Sequence, residues 1–417
     1  MKNRNLILGS LFVAFVAFSC SDYVQDVVSP IGSVSDAELN TPQDITPFVV
    51  GLQTSFTQVY SEGSLNNGGL SDELFFSRDV VGATFIQYEQ IDQAQVGSLV
   101  PGNNSVQNAW ASLTRYRLLA DTLVERALNK IVYVTADDSV QRATALFNGY
   151  MHGAIVRTMM ADEYSLTADG DGGGVVQGNG PFVAAPELRV QAIALLDKAI
   201  PFASPSEAAW CNSLKARIYL YMGDYVNAKS AADAGMTPGT PPLQALHNSA
   251  SRNEWYDAAG AGRSQFMADA RFKAYVDSVP SEAGRIPLRQ AAGRRNTYFQ
   301  QNKYSTFESP INYITWQENH LMLAELAARN SDNVTALQLI NEVRASHNVV
   351  DLTDAQVQSE FAGNYLDALY TERDKELCFT GRRAMDQLRF NKWHLDPATT
   401  WKHLPISQDE RTGNPNF

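Results

Sequence analysis

Along most of this chain apolar residues recur every three to four positions, the spacing of helices that bury one face. In "PFVVGLQTSFTQVY" (47–60), Val49, Leu52, Phe56, Val59 and Tyr60 fall on one side. From Val106 to about Ile131, Trp110, Leu113, Arg117 and Ala120 share a stripe. A third helix is predicted over 140–164, where Gly149, Gly153 and Ala154 permit a neighbouring helix to come close, at about 1 kcal/mol per glycine relative to alanine. A fourth over 188–200 aligns Leu188, Ala192, Leu195, Leu196 and Ala199. Elsewhere the period fails. Gly and Asn clusters make 61–105 mostly loop with short elements, and "TADGDGGGVVQGNGP" (167–181) a loop.

Two stretches carry a more specific pattern. In "LKARIYLYMGDYVNAKSAADAG" (214–235), Leu214, Ile218, Tyr221 and Met222 make one apolar face, and Ala216 and Tyr219 a second. A helix with two apolar faces has to be covered on both sides, as in a stacked array. Past Gly223-Asp224, Tyr225 and Ala228 sit where a tetratricopeptide-type helix pair needs an aromatic plug and a small contact residue. "NHLMLAELAARNSDNVTALQLINEVRA" (319–345) repeats the pattern, with Ala324, Ala327 and Ala336 in the places of Ala216, Tyr219 and Ala228. The turns are 108 residues apart, Gly223 to Ser331, rather than about 34, so a long insertion separates the pairs. That insertion, 236–310, is rich in Gly, Pro and aromatics and is periodic only near "FMADARFKAYVDSV". Irregular segments this long are uncommon in compact domains and often functional. The expected fold class is mainly α, with tetratricopeptide-like helix pairs as a scaffold. Its long irregular insertions fall at about 61–105, 166–185 and 236–310.

The start of the chain sets the compartment. "MKNRNLILGSLFVAFVAFS" (1–19) has two early cations and an apolar run from Leu6 to Phe18. The run is too short to span a bilayer, which takes about 20 residues, and fits a secretory signal. Small residues and then Cys20 follow, the arrangement of a bacterial lipoprotein whose thiol is acylated. Ala17 stands three before it, where Leu is usual. An ordinary signal peptide with an incidental Cys is the alternative. Residues 20–44 read as a lipidated polar tether and 45–417 as a single domain. The formal net charge of −12 becomes −14 once Lys2 and Arg4 leave with the leader, which disfavours nucleic acid and anionic lipid as partners. Cys211 and Cys378 lie in helical stretches and form no metal or disulfide pattern.

The C-terminal third carries a family pattern. "LYTERDKELCFTGRRAMDQLRF" (369–390) resembles the ER-x-x-EL-x-F-x-G-x-R-x-x-D-x-x-R segment of SusD/RagB-type outer-membrane nutrient-binding lipoproteins. Glu372, Arg373, Glu376, Leu377, Phe379, Gly381, Arg383, Asp386 and Arg389 match in order. Thr380 replaces a common Glu, and Ala384-Met385 a common aromatic pair. Both helix pairs and the closing "LPISQDERTGNPNF" are similar to family elements. The resemblance implies a largely helical fold with four helix pairs along one side, held on the outer-membrane surface by its lipid. It also implies a TonB-dependent, SusC-like transporter as partner, to which oligosaccharides or sometimes peptides are handed. The helix pairs would dock on the transporter and the insertions would face the ligand.

In 372–389, Glu372 and Glu376 are one turn apart, as are Arg382 and Asp386, so i,i+4 pairing is expected. Glu372, Arg373, Glu376, Arg383, Asp386 and Arg389 could be a catalytic cluster, but a structural ion-pair network is the simpler expectation. Glycan binding calls for flat apolar faces and planar polar groups. The candidates are Phe75, Phe85, Tyr88, Trp255, Tyr256, Tyr298 and Tyr304, all in the insertions. Phe299 alternates with Tyr298 in a stretch that also suits a strand pair. In "LSDELFF" (70–76), Ser71 reads as the cap of a helix start, with Asp72 and Glu73 in its first turn. Asp169 and Asp171 sit in a glycine-rich loop without the ligand spacing of a calcium site. No metal, cofactor or catalytic residue is assigned, because the six His are scattered and no nucleophile, phosphate or dinucleotide motif occurs. The expectation is therefore a glycan-binding surface lipoprotein rather than an enzyme. The alternatives are an envelope protein-interaction module without a small ligand, and a glycoside hydrolase with two carboxylates across a cleft.

Overall fold

The structure is a computed structural model that describes residues 39–417. The signal segment, Cys20 and most of the tether lie outside the described residues. The fold is mainly helical, with strands only as short two-stranded ladders.

The predicted helices form at Ile45–Leu70, Asn104–Asn129, Ala136–Glu163 and Ala185–Ala199. Their apolar stripes bury Leu52, Phe56, Trp110, Leu113, Leu188 and Leu196 in one continuous core. The 104–129 helix packs on 136–163, which packs on 185–199, with 45–70 laid across the first two. Gly149 allows the tight crossing, since a Cβ there would lie 2.6 Å from a Val124 methyl and 3.3 Å from the Ala120 carbonyl.

Both helix pairs form as read, as Pro205–Tyr221 with Tyr225–Asp233 and Trp316–Arg329 with Asn333–Ser346. They share turn chemistry. Gly223 and Ser331 both adopt positive φ, and the next residue, Asp224 or Asp332, accepts the N–H of Asn227 or Thr335 at 3.1 Å. This is N-capping by a carboxylate. Tyr225 is no buried plug. It is 40% exposed, with the Arg329 guanidinium 4.6 Å from its ring centre. Met222, placed on the apolar face by periodicity, is exposed at the turn.

The pairs are distant in sequence but adjacent in space. The 316–329 helix packs directly on 205–221 and 225–233. A buried polar clamp fixes the junction. Arg217 donates to both Glu318 oxygens at 2.7 and 2.6 Å, and Asn319 donates to the Ala232 and Met236 carbonyls at 2.9 Å. The 236–310 segment therefore leaves and re-enters a continuous scaffold, on which Tyr365–Glu376 also packs.

The insertions fold against each other. Leu74–Phe76 pairs antiparallel with Phe266–Ala268, and Leu288–Ala292 with Thr297–Gln301 as a hairpin. A small cluster of Val80, Ala83, Met267 and Ala291 sits beneath Phe75, Phe76 and Tyr298. Two expectations are corrected here. Residues 61–70 are helical, not loop, and nearly all are buried. Ser71 closes that helix instead of opening one, with its N–H on the Asn67 carbonyl at 3.0 Å. Asp72 and Glu73 therefore lie in a turn before a strand.

Candidate functional site

The 372–389 segment is a buried ion-pair network. Arg373 and Arg389 hold Asp386 at 2.8 and 2.9 Å. Glu372 receives Arg285 and Arg344 at 2.6 and 2.9 Å. Glu376 takes His347 and Arg285 at 3.0 and 3.4 Å, and Arg383 takes Asp72 at 2.6 Å. Burial opposes ionisation of Asp386, but the two guanidiniums win and hold its carboxyl below the usual range. With these groups committed to one another, the arrangement offers no poised acid and base. The expected local pair Arg382–Asp386 does not form. Arg382 instead lies against the rings of Tyr60 and Tyr313, at 5.4 and 4.6 Å.

The aromatic candidates separate into two groups. Trp255 is 0% exposed and Tyr304 3%. The Trp255 indole donates to Ser64 Oγ at 2.8 Å, and the Tyr304 hydroxyl to the Phe379 carbonyl at 2.9 Å. Both belong to the core, because the insertion needs an apolar centre where it meets the scaffold, so neither has a face to offer a ligand. Phe75 and Tyr298 are half-buried partners, 5.9 Å apart, in the small cluster. Tyr256 is half-buried against Phe307 at 4.6 Å.

Phe85 remains at the surface, with Tyr88 half-buried beside it. Phe85 is the N-cap residue of the Ile86–Gln93 helix and Tyr88 lies in its first turn. Their rings stand 6.3 Å apart at an interplanar angle of 23°, and Phe85 is 39% exposed. The inner ring, Tyr88, is backed by Phe266 at 4.9 Å, and Arg263 lies 5.6 Å from the Phe85 centre. Beside Tyr88 opens a pocket of about 170 Å³ walled by Glu62, Asn66, Ser105, Asn108 and Glu254. Burial and neighbouring Asp257 and Glu62 push the Glu254 carboxyl up to about 7, and burial also raises Glu62. Near neutrality the Glu254 carboxyl can both give and accept hydrogen bonds. The sequence did not single out Glu62, Asn66 or Asn108: the first two lie in 61–70, which has no apolar stripe, and Asn108 in the Asn104–Asn129 helix.

Larger clefts lie elsewhere, one of about 500 Å³ bordered by Arg189 and Trp393 and one of about 370 Å³ bordered by Gln53 and Trp210. Among the described residues no group of three or more His, Cys, Asp or Glu is arranged to hold a metal ion. Asp169 and Asp171 are exposed loop residues.

The comparisons agree on one family. The sequence model of the SusD family matches residues 289–416. Among solved structures, a SusD superfamily protein from Bacteroides vulgatus superposes with a TM-score of 0.71 at 18% identity, covering 91% of this chain and 99% of that one. A SusD-like carbohydrate binding protein from the same organism gives 0.68 at 12% identity, over 91% of this chain and 97% of its own. A laminarin binding SusD-like protein gives 0.67 at 14%, over 90% and 99%. At these identities the likeness is one of fold. No curated protein matches the chain. The SusD family's sequence model matches the last third of the chain, and the SusD superfamily fold extends across nine-tenths of its length, so the chain is similar to SusD/RagB proteins in its C-terminal sequence and in its fold.

Proposed function

We propose that this protein is a surface lipoprotein of the outer membrane that binds an oligo- or polysaccharide and delivers it to a TonB-dependent, SusC-like transporter. The observation that carries the reading is the Phe85–Tyr88 platform beside a pocket of amides and carboxyls. Sugar rings present flat C–H faces that pack on aromatic rings, and equatorial hydroxyls that pair with planar polar groups. The carbohydrate- and laminarin-binding proteins that share the fold support this choice of ligand. Among the described residues no helix is long and apolar enough to cross a membrane. In this reading attachment is through acyl chains on Cys20, while the helix-pair face docks on the transporter. The reading assigns no catalytic residue and no cofactor.

Calorimetry against a panel of neutral and acidic glycans tests it. At least one is expected to give saturable heat, weakened tenfold or more in Phe85→Ala/Tyr88→Ala, with an unchanged far-ultraviolet circular dichroism spectrum. Silence across the panel, together with co-purification of an envelope complex, would favour the interaction module instead. Sugar release from a bound glycan would revive the hydrolase. Cys20→Ala is expected to abolish palmitate labelling and membrane retention.

A further inference from the structure

We propose that a second site, remote in sequence from the aromatic platform, binds a compact oxyanion between Lys303 and Arg382. The two cations line a cavity of about 230 Å³ between the Gly284–Pro287 turn, the Ile311–Ile314 strand and the Gly381 turn.

The charge balance around this cavity does not close. On one wall Arg285 and Glu376 belong to a network behind it in which Arg285, Arg344 and Lys375 face Glu282, Glu372 and Glu376, three cations against three carboxylates, joined at 2.6–3.6 Å. On another, Glu318 is bound by Arg217. His347 bonds to Glu376. Lys303 and Arg382 are left over. The Lys303 ammonium meets backbone carbonyls, those of Cys378 at 3.0 Å and Glu376 at 3.5 Å. Arg382 is 5% exposed and rests on the Tyr60 and Tyr313 rings, and no acceptor reaches its Nε or Nη2. Glu318 and Glu163 share its field, but Glu318 is already held bidentately by Arg217, and burial pushes the Glu163 carboxyl up to about 8 and leaves it protonated at neutral pH. A buried guanidinium without a counter-charge is unfavourable, and an entering anion removes that penalty.

The donor set fits an oxyanion. A guanidinium presents a planar fork and an ammonium a point charge, the pairing that binds carboxylate and phosphate oxygens. Thr315 and Thr380 also border the cavity. Thr315 Oγ1 accepts the Glu318 N–H and keeps its own proton to give. The ligand could be a free inorganic ion or the acid group of a sugar, and the chemistry recognised is the same.

Titration calorimetry at constant ionic strength would use inorganic phosphate, sulfate, acetate and glucuronate, with glucose as the neutral control. The wild type is expected to bind at least one anion at one site per chain and to ignore glucose at this site. Tightest binding of phosphate or sulfate identifies a free ion, and tightest binding of glucuronate an acidic sugar. Lys303→Met, at the half-buried edge, is expected to weaken binding at least tenfold. Thr380→Glu places a carboxylate on the same wall and is expected to abolish it. Should Thr380→Glu fail to fold, Lys303→Met carries the test alone. The proposal is overturned if no anion gives saturable heat, or if Lys303→Met binds as tightly as the wild type. Phe85→Ala/Tyr88→Ala is expected to leave anion binding intact, so this proposal can fail while the glycan site stands.

Discussion

Glu318→Gln is expected to be among the most damaging single-atom changes in the scaffold. The Arg217–Glu318 pair is bidentate, with side chains 0% and 3% exposed. Arg217 Nη2 also donates to the Tyr313 carbonyl at 2.7 Å. Replacing one carboxylate oxygen by an amide keeps the shape but strands a buried guanidinium, which costs about 3–5 kcal/mol. Against a typical total of about 5–15 kcal/mol, that is a large share. The cost comes from stranded charge, so removing both charges is expected to hurt less. Arg217→Met/Glu318→Met leaves only the Tyr313 carbonyl without its donor, about 1–3 kcal/mol. Lys229→Ala supplies the control, since Lys229 and Asp233 are both 52% exposed and such a pair is worth about 0.3–0.5 kcal/mol. Equilibrium urea unfolding at pH 7, followed by circular dichroism, reads all three. The reasoning is refuted if Glu318→Gln lies within 1 kcal/mol of the wild type, or if the double variant is as unstable as the single.

Trp255→Ala, unlike changes at the platform, is expected to cost about 3–5 kcal/mol, as for other buried aromatics; a melting temperature equal to the wild type's would return Trp255 to the ligand candidates. Gly381→Ala is expected to destabilise by about 2 kcal/mol or more. Gly381 has φ +72°, and a Cβ would sit 2.5 Å from Ser64 Cα, which adds a backbone clash to the positive-φ penalty; a fall in the urea midpoint checks it. Two buried groups shape the pH profile in opposite senses. Burial lowers His152 to about 3, against 6.5 unfolded, so the unfolded chain binds more protons and stability falls as pH drops from about 6.5 towards 3. Burial raises Glu163 to about 8, against 4.5 unfolded, so its contribution is lost as pH rises from about 4.5 through 8. Glu163→Gln is expected to flatten that alkaline limb, and urea midpoints that run parallel to the wild type's from pH 5 to 9 would contradict the assignment.

Periodicity located the scaffold because each long helix buries a stripe of large apolar residues, and that stripe is a local property. It failed at 61–70 for the same reason. Ser61, Gly63, Ser64, Asn66 and Asn67 are buried almost all round by neighbours, so no apolar stripe marks them. Aromatics in the insertions were legible as important but not as to role. Trp255 and Phe85 both stand in irregular sequence, and the positions of Phe379, Tyr304 and Ser64 decide that the first is enclosed. The charges of 372–389 announced a network, yet helical spacing offered Arg382 for Asp386. Asp386 instead takes Arg373 and Arg389, while Glu325, Arg344 and Asp72 join the network from distant segments, which local spacing cannot supply.

The turn at Gly381 shows why the family pattern is concentrated where it is. Phe379 donates its N–H to Glu73 and takes the Tyr304 hydroxyl on its carbonyl. Tyr60 donates to the Thr380 carbonyl at 3.0 Å, and Arg383 grips Asp72. Asp374 meanwhile binds Arg271 at 2.8 Å. Residues from the first helix, from the 71–105 and 236–310 segments and from the last helices thus meet at one turn. Ion pairs and close backbone contacts are directional, whereas apolar packing tolerates substitution of similar volume. Position relative to the scaffold is therefore set by specific residues at this junction. The exposed rims, including the Phe85–Tyr88 platform, are free to differ without loosening it. The rims can therefore change alone, while a change at Gly381, Asp72 or Arg383 alters the position of every segment that meets there at once.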